Sequence, residues 1–111
     1  MRIEVLSIDD CPNSQTAVEE VREALNLLGR TDVPVTERRI TTAEEAAATA
    51  FAGSPTVLIN GVDVVPGATP IGSLACRVYR TDTGMAGYPT AEQIAEAMRT
   101  CDDRRRVTAP Q

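Results

Sequence analysis

Histidine, tryptophan and lysine are absent from this chain of 111 residues, and its aromatic side chains are one Phe and two Tyr. Without histidine, the common zinc-enzyme ligand sets, the Ser–His–Asp triad and the imidazole general base are excluded. With aromatics at 3% and a formal net charge of -5, neither base stacking nor phosphate-backbone binding is expected, so nucleic acid is not among the partners. No apolar run approaches the roughly 18 residues of a membrane span, and the first residues lack signal-peptide architecture. The expectation is a cytoplasmic protein without a membrane partner. Cysteine is scarce: Cys11, Cys76 and Cys101, an odd number with no two at Cys-x(2–4)-Cys spacing. A structural disulfide framework and a closed metal site are therefore not expected, and no cofactor is called for. Hydrophobic residues at 42% against 24% charged describe a folded chain, long enough for one core.

What is present reads as alternating strands and helices. Residues 2–8 carry Ile3, Val5, Leu6 and Ile8 and predict a strand. A helix is expected next, with Cys11 near its N-cap and Pro12 at the first helical position, where a missing N–H costs nothing. Val18, Val21, Leu25 and Leu28 make its apolar stripe, and Gly29 stops it. Residues 33–40 predict a second, more polar strand, as suits a sheet edge. Thr42 and Glu45 form a capping box ahead of an Ala-rich helix reaching about Phe51. The continuous apolar run Thr56-Val57-Leu58-Ile59 predicts a central strand, Asn60-Gly61 a hairpin turn, and residues 62–65 the returning strand. Residues 67–88 are the least decipherable: 74–80 fit a short strand or one helical turn, and Asp82-Thr83-Gly84 a turn. A last helix opens at Pro89-Thr90, capped by Thr90 and Gln93, with Ile94, Met98 and Cys101 on one face. Residues 1–101 are expected to form the domain and 102–111 a mobile tail.

This order predicts an α/β fold: a four-stranded mixed central sheet with helices on both faces. Asp10-Cys11-Pro12-Asn13-Ser14 at the first strand-to-helix junction, and Gly53-Ser54-Pro55-Thr56 just before the third strand, give the chain its resemblance to the thioredoxin-like superfamily. The resemblance covers roughly residues 1–65 and, more weakly, the last helix. It implies that Pro55 is cis and lies against the active-site cysteine. The chain departs from the family's Cys-x-x-Cys at Ser14, so the site resembles that of monothiol glutaredoxin-like proteins, which work through mixed disulfides. The stretch Leu74-Ala75-Cys76-Arg77-Val78-Tyr79 is similar to a small bacterial subgroup labelled alkylmercury-lyase-like.

Among candidate residues Cys11 leads, because a helix N-terminus favours the thiolate, the nucleophilic form. Asp9 and Asp10 oppose that charge, and a hydrogen bond from Ser14 to the sulfur would offset them. Cys76 is a candidate resolving thiol, or else a buried small residue between Leu74 and Val78. Cys101 is expected to be structural. Pro12, Ser54, Pro55 and Thr56 are candidates for aligning a substrate backbone. The pairs Glu19-Glu20 and Glu44-Glu45 read as solvated helix surface.

Three functions follow. The first is a thiol-disulfide oxidoreductase acting through Cys11, Ser14 and Cys76, whose partners would be protein or low-molecular-weight thiols and disulfides. The second is capture of a thiophilic metal ion or organomercurial by Cys11 and Cys76, since paired thiolates suit soft ions. The third is a non-catalytic interaction domain that keeps the fold without redox chemistry. Apolar residues in 62–65 and 67–88 leave room for a dimer.

Overall fold

The computed structural model describes the backbone of residues 1–108 and the side chains of residues 1–101. Strand β1 (Ile3–Ser7) leads into helix α1 (Ser14–Leu27), strand β2 (Val35–Arg39) and the short helix α2 (Ala43–Ala47). Strands β3 (Thr56–Ile59) and β4 (Val62–Asp63) follow, then β5 (Tyr79–Thr81), β6 (Gly84–Ala86) and helix α3 (Ala91–Thr108). The main sheet is mixed, in the order β2-β1-β3-β4: β1 pairs with β2 in parallel and with β3 antiparallel. β5 and β6 form a separate hairpin closed by Asp82-Thr83, with Thr81 opposite Gly84.

Alternation along the central strands divides the core between the two faces of the sheet. Ile3 and Val5 of β1, with Val57 and Ile59 of β3, meet Val18, Val21 and Leu25 of α1 and Ile94 and Met98 of α3. Leu6 and Leu58 point the other way and pack with Ile40, Ala46 and Phe51 around α2. Helices thus cover both faces, with α1 and α3 together on one side and α2 alone on the other. Four consecutive buried residues in β3 reflect its place between β1 and β4.

Local signals set most boundaries. Helix α1 ends in a Schellman motif: Arg30 N donates to Leu25 O at 2.8 Å and Gly29 N to Asn26 O at 3.1 Å, with Gly29 at φ 67°. Asn60 and Gly61, at φ 51° and 82°, make the two-residue turn between β3 and β4. Thr42 caps α2 by accepting from Glu45 N at 3.0 Å, and hydrogen bonding from Thr41 holds the Glu45 carboxyl below its usual range. The helix stops at Ala47, short of the expected Phe51. Beyond it Thr49 donates to Ala46 O and accepts from Phe51 N, a side-chain alternative to the helical ladder.

At α3 the capping box is reciprocal: Gln93 N donates to Thr90 Oγ1 at 3.1 Å, and Thr90 N to Gln93 Oε1 at 2.9 Å. Ala91 N donates to Glu20 Oε1 of α1 at 3.1 Å, so Glu20, read from the sequence as solvated surface, ties the two helices together. In the stretch expected to be a tail, backbone helix runs on to Thr108. Side chains from 102 onward, and residues 109–111 altogether, lie outside the described residues.

Candidate functional site

The end of β1 is followed by a sharp turn. Asp10 takes a left-handed φ of 58°, and Ser14 N donates to Cys11 O at 3.4 Å, closing a turn across residues 11–14. Pro12 therefore sits at the second position of a β-turn, which its fixed φ suits, rather than inside the helix. Asn13 is the N-cap, with Cys11 two residues before it, so the helix starts at Ser14 and not at Pro12 as expected. The Asn13 side chain makes no cap bond. It lies over Gly87, where an added Cβ would collide with Asn13 Nδ2. Cys11 is half-buried. The Ser14 hydroxyl donates to the Cys11 carbonyl at 3.2 Å, whereas the sequence reading directed it to the sulfur. The Asp9 carboxylate forms an ion pair with Arg39 at 2.6 Å, so one of the two negative charges preceding Cys11 has a local partner.

The loop before β3 stands beside this turn. The Ser54–Pro55 peptide is cis. Ser54 Oγ accepts from Ile8 N at 3.1 Å, joining this loop to the segment that leads to Cys11. Ser54, Pro55 and Thr56 are all buried. Thr56 Oγ1 donates to Gly53 O at 2.5 Å and accepts from Ala52 N at 3.0 Å. The three residues expected to meet a substrate backbone are thus covered, their polar groups engaged within the chain.

Over this loop run residues 66–78, largely the first half of the undeciphered stretch 67–88, as a strap without regular structure. Ile71 N donates to Phe51 O at 2.8 Å. Ser54 N donates to Ala75 O at 2.8 Å and Arg77 N to Ser54 O at 3.0 Å, a parallel bridge that sets Cys76 directly opposite Ser54. The bridge thus sets the Cys76 main chain against the residue whose hydroxyl reaches Ile8. Cys76 is exposed, which removes its reading as a buried small residue.

An ionic and aromatic cluster holds the strap's end. Arg77 makes two bonds to Asp63 of β4, at 2.7 and 3.0 Å, with side chains only 10% and 11% exposed. Its guanidinium lies 4.4 Å from the centre of the Tyr79 ring, and Tyr79 Oη donates to Pro55 O at 2.5 Å. Burial pushes the Tyr79 phenol far above its ordinary pKa, with Arg77 opposing that shift in part. The sequence reading missed Asp63, Arg77 and Tyr79 as a unit. Its available signals were the two-residue spacing of Arg77 and Tyr79 and one acid inside the apolar run 62–65.

Cys101 packs against the α1/α3 side of the core, as the helical stripe implied, and its sulfur accepts from Asn60 Nδ2 at 3.2 Å. Among the described residues, no group of three or more His, Cys, Asp or Glu side chains could hold a metal ion, and no helix is long and apolar enough to cross a membrane. No family model, no curated protein and no solved structure matches the chain.

Proposed function

We propose that the chain is a thioredoxin-like thiol-disulfide oxidoreductase in which Cys11 attacks and Cys76 resolves. The observation that carries this reading is the Ser54–Cys76 bridge. One residue, Ser54, holds the segment leading to Cys11 through its hydroxyl and the segment bearing Cys76 through its main chain.

The chemistry balances with two protein thiols and one substrate disulfide. The Cys11 thiolate attacks one sulfur of the substrate, forming a mixed disulfide and expelling the other sulfur as a thiolate, which takes a proton from water. The Cys76 thiolate then attacks Cys11 Sγ and releases the second substrate thiol. The substrate gains two electrons and the protein becomes a Cys11–Cys76 disulfide, which an external low-molecular-weight thiol reduces. In this scheme Ser14 and Pro12 shape the turn that presents Cys11. Ser54, Pro55 and Thr56 position the strap, and the substrate meets the exposed side of the turn and strap.

Mass spectrometry after exposure to a small disulfide tests the scheme. Cys76→Ser should accumulate a mixed disulfide at Cys11, Cys11→Ser should form none there and lose all reductase turnover, and the unaltered chain should yield the internal Cys11–Cys76 peptide. Turnover that survives Cys11→Ser would sink it.

A further inference from the structure

A groove of about 700 Å³ lies apart from the Cys11 turn, between β4, the start of β5 and the outer face of α3. Its walls are mainly apolar: Ile59, Val62, Val64 and Val65 from one side, Val78 from another and Ala97 from the helix. Val62 and Val78 remain 57% and 63% exposed, so the described residues leave the groove open. Neither Cys11 nor Cys76 lines it, and Cys101 does, near the β3–β4 turn.

The charges on its rim decide what it fits. Asp63 and Arg77 neutralise one another. Asp82, Glu92 and Glu96 then face a single Arg80, and Glu96 also pairs loosely with Arg99 at 3.4 Å. The N-terminus of α3 would ordinarily attract an anion. Here the amides of Thr90, Ala91 and Gln93 are already taken, by Gln93, the Glu20 carboxylate and Thr90. The occupied amides leave an anion fewer partners at that end, and the acidic rim favours a cation. From Glu92 to Cys101 is nine residues of helix, about 14 Å.

We propose that this groove binds an elongated apolar molecule carrying one cationic group, its charge among Asp82, Glu92 and Glu96 and its tail running toward Cys101. The proposal is independent of the thiol chemistry at Cys11 and uses Cys101 only as a reporter. The measurement is iodoacetamide alkylation of the full chain, followed separately at each cysteine. It is run with decyltrimethylammonium or with decyl sulfate, both below their micelle concentrations. The cation should slow alkylation of Cys101 while Cys11 and Cys76 keep their rates, and the sulfate of equal chain length should protect far less. Glu92→Gln combined with Glu96→Gln changes two exposed side chains and should weaken the cation's protection on the order of fivefold, the scale of exposed charge pairs. Equal protection by both surfactants, no protection of Cys101, slowing at all three cysteines, or unchanged protection in the double variant would each overturn the proposal.

Discussion

Gly53 and Tyr79 show how single residues control the covered loop. Gly53 has φ 111°, and a Cβ there would stand 2.7 Å from Arg77 Cβ, a contact with the root of a side chain that cannot swing away. Gly53→Ala should therefore lift the strap, lower stability by about 1–3 kcal/mol, and speed alkylation of Cys76. Denaturant melts and the Cys76 rate check this; an unchanged rate would mean that the strap is not seated through Gly53. Tyr79 gives a pH signature. Its phenol ionises near about pH 10 in the unfolded chain, and burial raises that value in the native state. The unfolded chain then gives up a proton that the folded one keeps. Stability from this group is full below about pH 10 and is lost as pH rises beyond it. Tyr79→Phe should make the alkaline loss of stability shallower, while costing about 1 kcal/mol at neutral pH through the lost bond to Pro55 O. An alkaline limb of unchanged steepness in the variant would count against this role.

Among the elements, those with a one-dimensional signature are legible from residue order alone. The N-cap at Thr42, the reciprocal capping box at Thr90, the stop at Gly29 and the turn at Asn60-Gly61 depend on neighbours within a few residues, and each is formed in the fold, although at Thr42 the Glu45 carboxylate takes threonine hydroxyls instead of closing the expected box. The strap is not legible in this way, because its order comes from partners far away in sequence. Arg77 is ordered by Asp63, Ala75 by Ser54 and Ile71 by Phe51, none of which periodicity could supply. The same cause hides the cover over Ser54, Pro55 and Thr56: the local motif reads as an open loop, and a strap bonded from about twenty residues away closes it. The helix start departs from expectation for a different reason, since a proline suits both the first helical position and the second position of a turn. The left-handed Asp10 decides for the turn. The strap's anchor is testable as an element. Asp63→Ala leaves a nearly buried guanidinium without its partner and should cost about 3 kcal/mol. In a double-mutant cycle with Arg77→Met, much of that loss should disappear, because the uncompensated charge goes too. Additive losses would mean that the pair stabilises nothing beyond its separate packing.

At the scale of the whole molecule, the sheet separates two unequal cores. The face under α1 and α3 carries most of the buried apolar residues, whereas the face under α2 rests on Leu6, Ile40, Ala46, Phe51 and Leu58. Both faces share β1 and β3, so disruption on either side is felt by the same two strands. Phe51→Ala on the smaller side should therefore destabilise the whole chain by about 3–5 kcal/mol instead of loosening α2 alone. Native-state hydrogen exchange separates these outcomes. Amides of β1 and β3, each bonded to strands on both sides, should open only with global unfolding. Those of β2 and β4, at the sheet edges, should open earlier. The β5–β6 hairpin belongs to a separate sheet, and the strap is tied by a few long-range bonds, so both should exchange first. In Phe51→Ala the protection of β1 and β3 should fall by the same free energy as the melt. If β1 and β3 kept full protection while α2 alone exchanged faster, the two cores would be independent, and the smaller one would be a separate cover on the sheet whose strands lead to Cys11 and from Ser54.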